Sequence, residues 1–251
     1  MKICFIVGHG KGKNGGYDPG ATNGNYHEFK IAKEIAKHAY EYFNANYTDV
    51  AELMNYQGDL YLAERIKQAN SKKYDFVAEI HLNAGGGTGS EVYYAKKSGK
   101  GKTIAAAISK NISVALGIKD RGARTKTGSS GADYFGIIRQ TKMEAVLIET
   151  AFIDSKDLEK LKTAEGQKAC GIAIAQAVAI ALKAKVENTL VVGDKVKLVS
   201  GATYYDGKKI PLWLKVKTLY VRGIDGDRVV VSTLRSGAIT GAVNKKYLKE
   251  V

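Results

Sequence analysis

No stretch of this sequence approaches the roughly 20 apolar residues that span a bilayer, which excludes a transmembrane helix. The opening "KICFIV" is too short for a signal-peptide core and no small-residue cleavage site follows it, so it reads as a core strand. Cysteine is scarce: Cys4 lies in that strand and Cys170 far away in an alanine-rich stretch. A pair so placed argues against a disulfide framework and for buried thiols in a protein made in a reducing cytoplasm. Zinc-finger spacing, an RNP-type aromatic motif and a helix-turn-helix pattern are also missing. Lysine and arginine nevertheless number 39 against 25 acidic residues, a net charge of +14, so polyanions are attracted over a Debye length. Without a nucleic-acid motif, that charge does not imply nucleic-acid binding.

What is present changes character near residue 188. Up to 187, strand-like and helix-like segments alternate. "KICFIVG", "YDFVAEIHLNA", "SEVYYA" and "EAVLIETAF" read as strands. "EFKIAKEIAKHAYEYFN", "GDLYLAERIKQANSK", "KTIAAAISKNISVALGI" and "EGQKACGIAIAQAVAIALKAK" read as helices. Such alternation predicts an α/β fold with a mainly parallel sheet flanked by helices on both faces. Residues 188–251 show short valine-rich runs separated by "SGA", "YDGKK", "GIDGDR" and "RSGA", which predicts a small all-β barrel. From residue 190 onward 12 lysines and arginines face 5 acidic residues, so this quarter of the chain carries +7 of the excess. Trp213 is expected in its core.

Chemistry concentrates on the histidines. His9 follows the first strand and His81 ends "DFVAEIH", so both are expected at the carboxyl ends of parallel strands, where open α/β sheets place their sites. Between them lies "YHEFK". Counting by three and four from Glu28 reaches Ile31, Ala32, Ile35 and Ala39, the face that must turn inward; counting from His27 reaches Lys30, Glu34 and His38, a polar face. Ile31 also lies four residues after His27, so that face is mostly rather than wholly polar. Glu28 is therefore the inward candidate, with the helix-start role of a carboxylate as the alternative. His38 is expected in a solvated pair with Glu34. His9, Glu28 and His81 would give a tetrahedral zinc three protein ligands and one open position, the pattern of a catalytic site. Glu149 ends an otherwise apolar strand, where a buried charge is costly without a partner, and is the candidate proton shuttle. Glu79 shares a face with His81 and either supports it or is an ion-paired carboxylate. The glycines of "GHGKGKNGG" suit a loop wrapped around a site; a phosphate loop lacks its G-K-[ST] ending.

The segments "VGHG…YDPGA", "YHE", "AEIHLNA", "GTGSEVYY", "DRGART" and "YFGIIRQTKMEAVLIETAFIDSKDLEKL" resemble, in order, the zinc-dependent N-acetylmuramoyl-L-alanine amidases of bacterial autolysins and phage endolysins. Residue by residue, the resemblance implies zinc on His9, Glu28 and His81 and a catalytic role for Glu149. It departs at the loop after His9, and at Thr150, where the family commonly has proline. Residues 188–251 resemble, more loosely, Src-homology-3-like barrels that hold bacterial walls. The resemblance implies a 1–187 catalytic domain acting on peptidoglycan, and a 188–251 anchor for which anionic wall polymers such as teichoic acids are candidate partners. A phage endolysin stored in the host cytoplasm and released to the wall is the expected setting. The alternatives are a zinc carboxypeptidase or peptidoglycan peptidase, and a non-catalytic wall-binding protein.

Overall fold

The computed structural model describes residues 1–185 and 190–251. The chain divides into two compact units, Met1–Val186 and Glu187–Val251, each described by itself. The expected boundary between residues 187 and 188 lies outside the described residues.

In the first unit the main strands and helices, leaving aside four two-residue strands between Gly10 and His27 and the single helical turn Leu158–Leu161, are β1 (Lys2–Val7), α1 (Glu28–Asn46), β2 (Val50–Met54), α2 (Leu62–Lys72), β3 (Phe76–Asn83), β4 (Ser90–Tyr94), α3 (Gly101–Leu116), β5 (Asp120–Arg124), α4 (Gly136–Gln140), β6 (Glu144–Phe152) and α5 (Ala164–Leu182). The sheet order is β2-β1-β3-β6-β4-β5. The first four strands run parallel, while β4 is antiparallel to β6 and parallel to β5. The sheet is thus mainly parallel, as expected.

Helices cover both faces, which explains why β1, β3 and β6 are apolar nearly throughout rather than alternating. On one face Phe5, Ile80 and Ile148 pack with Ile31, Ile35 and Phe43 of α1, Ile104 and Ile108 of α3, and Ile174 of α5. On the other, Cys4, Ile6 and Leu147 pack with Ile66 of α2 and Ile137 of α4. Burying each such aliphatic side chain contributes about 1.5–3 kcal/mol relative to exposure. Two strands escape the periodicity: β2 and β5 are edge strands, and the "DRGAR" of β5 carries three charges and a glycine on a half-exposed rim.

The second unit has strands β7 (Lys195–Leu198), β8 (Leu219–Asp225), β9 (Arg228–Ser232), β10 (Gly241–Asn244) and β11 (Leu248–Glu250). They form one antiparallel sheet in the order β10-β9-β8-β7-β11. Among the described residues no pairing joins β10 to β11, so closure into a barrel is not seen. Val196, Leu214, Leu219, Val221, Val229 and Val231 belong to its own core. Two expectations fail here. "LWLK" forms one helical turn, Leu212–Lys215, and Trp213 is 60% exposed rather than core, because Leu214 is the residue of that turn that points inward.

Candidate metal centre and catalytic carboxylate

The carboxyl edge of the parallel strands carries the site. His9 follows β1 in the left-handed region, at φ 62°, a conformation that a residue other than glycine keeps only where its surroundings enforce it. Asn55 enforces it by donating from Nδ2 to the carbonyls of Val7 and His9, both at 2.7 Å. Chain entry into α1 fixes Glu28: its N–H donates to the Ala21 carbonyl and that of Phe29 to the Pro19 carbonyl, which satisfies the first helical amides. Two glycines make room. A Cβ on Gly8 would lie 2.3 Å from the His81 ring, and one on Gly20, at φ 69°, would lie 2.6 Å from Glu28 Oε2.

Glu28 is 3% exposed and joins the two imidazoles. Its Oε1 accepts from His81 Nδ1 at 2.8 Å and from the Leu82 N–H at 3.0 Å, and lies 3.2 Å from His9 Nε2. Its Oε2 accepts from the Ala21 N–H at 2.8 Å. Burial by itself would raise the Glu28 carboxyl, but the bonds from His81 and His9 outweigh it and hold the group well below the usual carboxylate range. Burial would likewise lower His81, yet the carboxylates of Glu28 and Glu79 raise it to about 10.

Ligand atoms of His9, Glu28 and His81 all lie within 4.8 Å of one another. Each imidazole also has a carboxylate on its far side: Asp18 Oδ2 is 2.9 Å from His9 Nδ1, and Glu79 Oε2 is 3.2 Å from His81 Nε2. Two imidazoles and a carboxylate converging on one point, backed by two more carboxylates, fit zinc in donor type and number.

Glu149 shares a cleft of about 730 Å³ with this cluster, walled by Tyr61, Leu62, Phe135 and Ile137. Its Oε2 is buried and has no hydrogen-bond partner among the described residues. Burial pushes its carboxyl up to about 7; His81 opposes the rise, and Glu28 and Glu91 add to it. A carboxyl near neutrality with an unsatisfied buried oxygen, on a residue that lines a cleft, is suited to proton transfer.

The remaining histidines stand apart. His27 faces Tyr17, whose hydroxyl is 3.3 Å from Nδ1. His38 lies 3.6 Å from Glu41, not Glu34, which instead accepts from the Tyr56 hydroxyl at 3.4 Å. Glu79 fits both of its readings: it backs His81 and also accepts from Arg65 Nε at 2.8 Å. Thr150, in place of the family's proline, donates its hydroxyl to the His81 carbonyl at 3.0 Å. Asp18, Asn55 and Arg65 were not predicted as site residues. Only Arg65 left a signal, an arginine four residues before Ala69 on the apolar face of α2.

A family model described as N-acetylmuramoyl-L-alanine amidase matches residues 3–180. The sporulation-specific N-acetylmuramoyl-L-alanine amidase of Bacillus subtilis is 34% identical over 167 residues, 65% of this chain and 61% of that protein. The endolysin of Bacillus phage SPP1 is 36% identical over 154 residues, 57% of this chain and 54% of its own length. The chain therefore spans between about half and three fifths of these curated relatives. Among solved structures, the catalytic domain of CwlV, an N-acetylmuramoyl-L-alanine amidase from Bacillus (Paenibacillus) polymyxa var. colistinus, superposes with a TM-score of 0.62 at 26% identity, covering 74% of this chain and all of that one.

Proposed function

The chain belongs to the N-acetylmuramoyl-L-alanine amidase family, and from that premise we propose that its first unit hydrolyses the amide between the lactyl group of N-acetylmuramic acid and L-alanine in peptidoglycan. The reading is carried by one observation: the partnerless Oε2 of Glu149 shares a cleft with the convergent His9, Glu28 and His81. His9, Glu28 and His81 would hold zinc, which when bound supplies a Lewis acid for the amide carbonyl and for water. Glu149 accepts one proton from the attacking water as the water oxygen adds to the carbonyl carbon. It then delivers that proton to the alanine nitrogen as the C–N bond breaks, leaving a carboxyl on the lactyl group and a free amine on the peptide. Glu149 thus returns to its starting state each turnover.

The second unit, with its excess of basic residues, would act as a Src-homology-3-like wall anchor that takes peptidoglycan or anionic wall polymers. The likeness to the SPP1 endolysin supports a lytic role at the bacterial wall, and no helix among the described residues is long and apolar enough to cross a membrane. The deciding experiment is mass analysis of the soluble products from purified wall. An amidase frees stem peptides with an L-alanine amino terminus from intact glycan; cuts within the stem would replace this reading with a peptidase.

A further inference from the structure

We infer that Arg65 is the positioning residue of the metal centre, a single guanidinium that sets both histidines. The inference rests on the zinc reading above. Arg65 projects from α2 and is 4% exposed, so its charge must be matched inside the protein. Its Nε donates to Glu79 Oε1 at 2.8 Å, and the other oxygen of that carboxylate stands 3.2 Å from His81 Nε2, the ring nitrogen turned away from Glu28. Its Nη1 donates to the His9 carbonyl at 3.2 Å and to the Leu60 carbonyl at 2.8 Å. One planar fork therefore reaches one ligand through a carboxylate and the other through its main chain.

The two arms act on different freedoms. His9 occupies a left-handed backbone conformation, and its carbonyl is fixed by Arg65 together with Asn55. His81 sits on a rigid strand, so what remains to be set is the rotation of its ring, and behind that ring Glu79 faces Nε2 at 3.2 Å as an ion-pair contact rather than an aligned hydrogen bond. A lysine could not reproduce this, because a point charge on a flexible stem lacks the fixed plane of donors that spans Glu79 and two carbonyls at once. Partners behind a ligating imidazole hold its orientation and its donor strength, and their loss typically lowers metal affinity ~10–100-fold.

The competing role is a purely structural buried ion pair, and the two can be separated in the full-length protein. Four proteins are compared: the natural sequence, Glu79→Gln, Arg65→Met, and the double variant Arg65→Met/Glu79→Leu. Zinc affinity is read by competition with a chromogenic chelator, site geometry from the visible spectrum of the cobalt-substituted proteins, and stability by thermal unfolding without metal. Glu79→Gln keeps the shape of the side chain and should bind zinc ~10–100-fold more weakly, with a shifted cobalt spectrum. Arg65→Met leaves Glu79 buried without its cation and should unfold earlier; the double variant removes both charges and should recover stability. Positioning requires that zinc affinity stay low in the double variant even as stability returns. Recovery of affinity and spectrum along with stability, or natural affinity in Glu79→Gln, would overturn the inference. If the natural protein binds neither cation, the zinc reading fails first and the inference falls with it.

Discussion

His81 and Glu149 are register partners across the parallel pair β3–β6, so a ligand candidate and the candidate base leave the sheet side by side. On the other flank Glu91 opposes Glu149 from β4. The two carboxylates differ in what surrounds them. Glu91 accepts from Arg121 at 2.6 Å, Asn83 at 2.8 Å and Tyr93 at 2.9 Å, with Arg124 at 3.0 Å, whereas Glu149 Oε2 has no partner among the described residues. Glu91 is saturated and held ionised; Glu149 is the one free to exchange a proton.

Glu149→Gln should therefore keep the fold and the zinc content but lower turnover ~10²–10⁴-fold, the usual cost of removing a general base. Metal analysis and release of stem peptides from soluble wall fragments check this. A variant with natural turnover would remove Glu149 from the mechanism.

Zinc uptake should expel a proton. In the metal-free protein His81 is held protonated up to about 10, while a metal ligand must be neutral, so binding at pH 7 releases the His81 proton and weakens as pH falls. The same groups set stability without metal. His81, raised from 6.5, contributes fully below that value and loses its contribution as pH rises through about 10. Glu28, lowered from 4.5, contributes above that value and loses its contribution on acidification below it. The metal-free midpoint should fall between pH 6.5 and pH 10, a loss that zinc removes. An indicator dye in weak buffer that records no proton release on zinc addition would contradict the assignment.

Metal content also tests the ligand set. Alanine at His9, Glu28 or His81 should each lower it, whereas His27→Ala, which removes only a contact with Tyr17, should leave about one zinc per chain. Gly8→Ala should lower zinc affinity without removing any ligand, because its Cβ would enter the space of the His81 ring. Overpacking of this kind typically costs about 1–3 kcal/mol of stability. A Gly8→Ala protein with natural zinc affinity would show that the ring can shift freely.

The parts legible in sequence were those with a period or a strand end. The inward face of α1 separated Glu28 from its neighbour His27, and the strand ends placed His9, His81 and Glu149 on one edge. What stayed hidden depends on contacts between distant segments. Asn55 acts through its side-chain amide on the main chain of Val7 and His9, 48 and 46 residues away, and nothing in "MNYQGD" announces it. The edge strands β2 and β5 are defined by their neighbours' hydrogen bonds rather than by apolar alternation. Trp213 departs from its expected place because an aromatic among valine-rich runs normally faces the core. The single helical turn after Pro211 instead turns Leu214 inward and the indole outward.

That exposed indole leads to a prediction for the second unit. Leu212, Trp213 and Val216 are all exposed on or beside one helical turn, flanked by Lys215 and Lys217. Exposed apolar groups gathered in this way mark interaction surfaces, and an indole offers a flat apolar face with a polar edge, suited to a sugar ring. In the full-length protein Trp213→Ala should leave thermal stability within about 0.5 kcal/mol, as for other exposed positions, and leave turnover on soluble fragments unchanged. If the second unit holds the wall as proposed, binding to intact walls and lysis of whole cells should fall, because loss of tethering lowers the local concentration of enzyme at its substrate. Salt separates this from attraction by charge alone: a specific contact keeps the natural protein on the wall at high ionic strength, where charge attraction is screened. If Trp213→Ala decorates walls as well as the natural protein, and both are stripped by the same salt, the basic residues rather than Trp213 hold the wall.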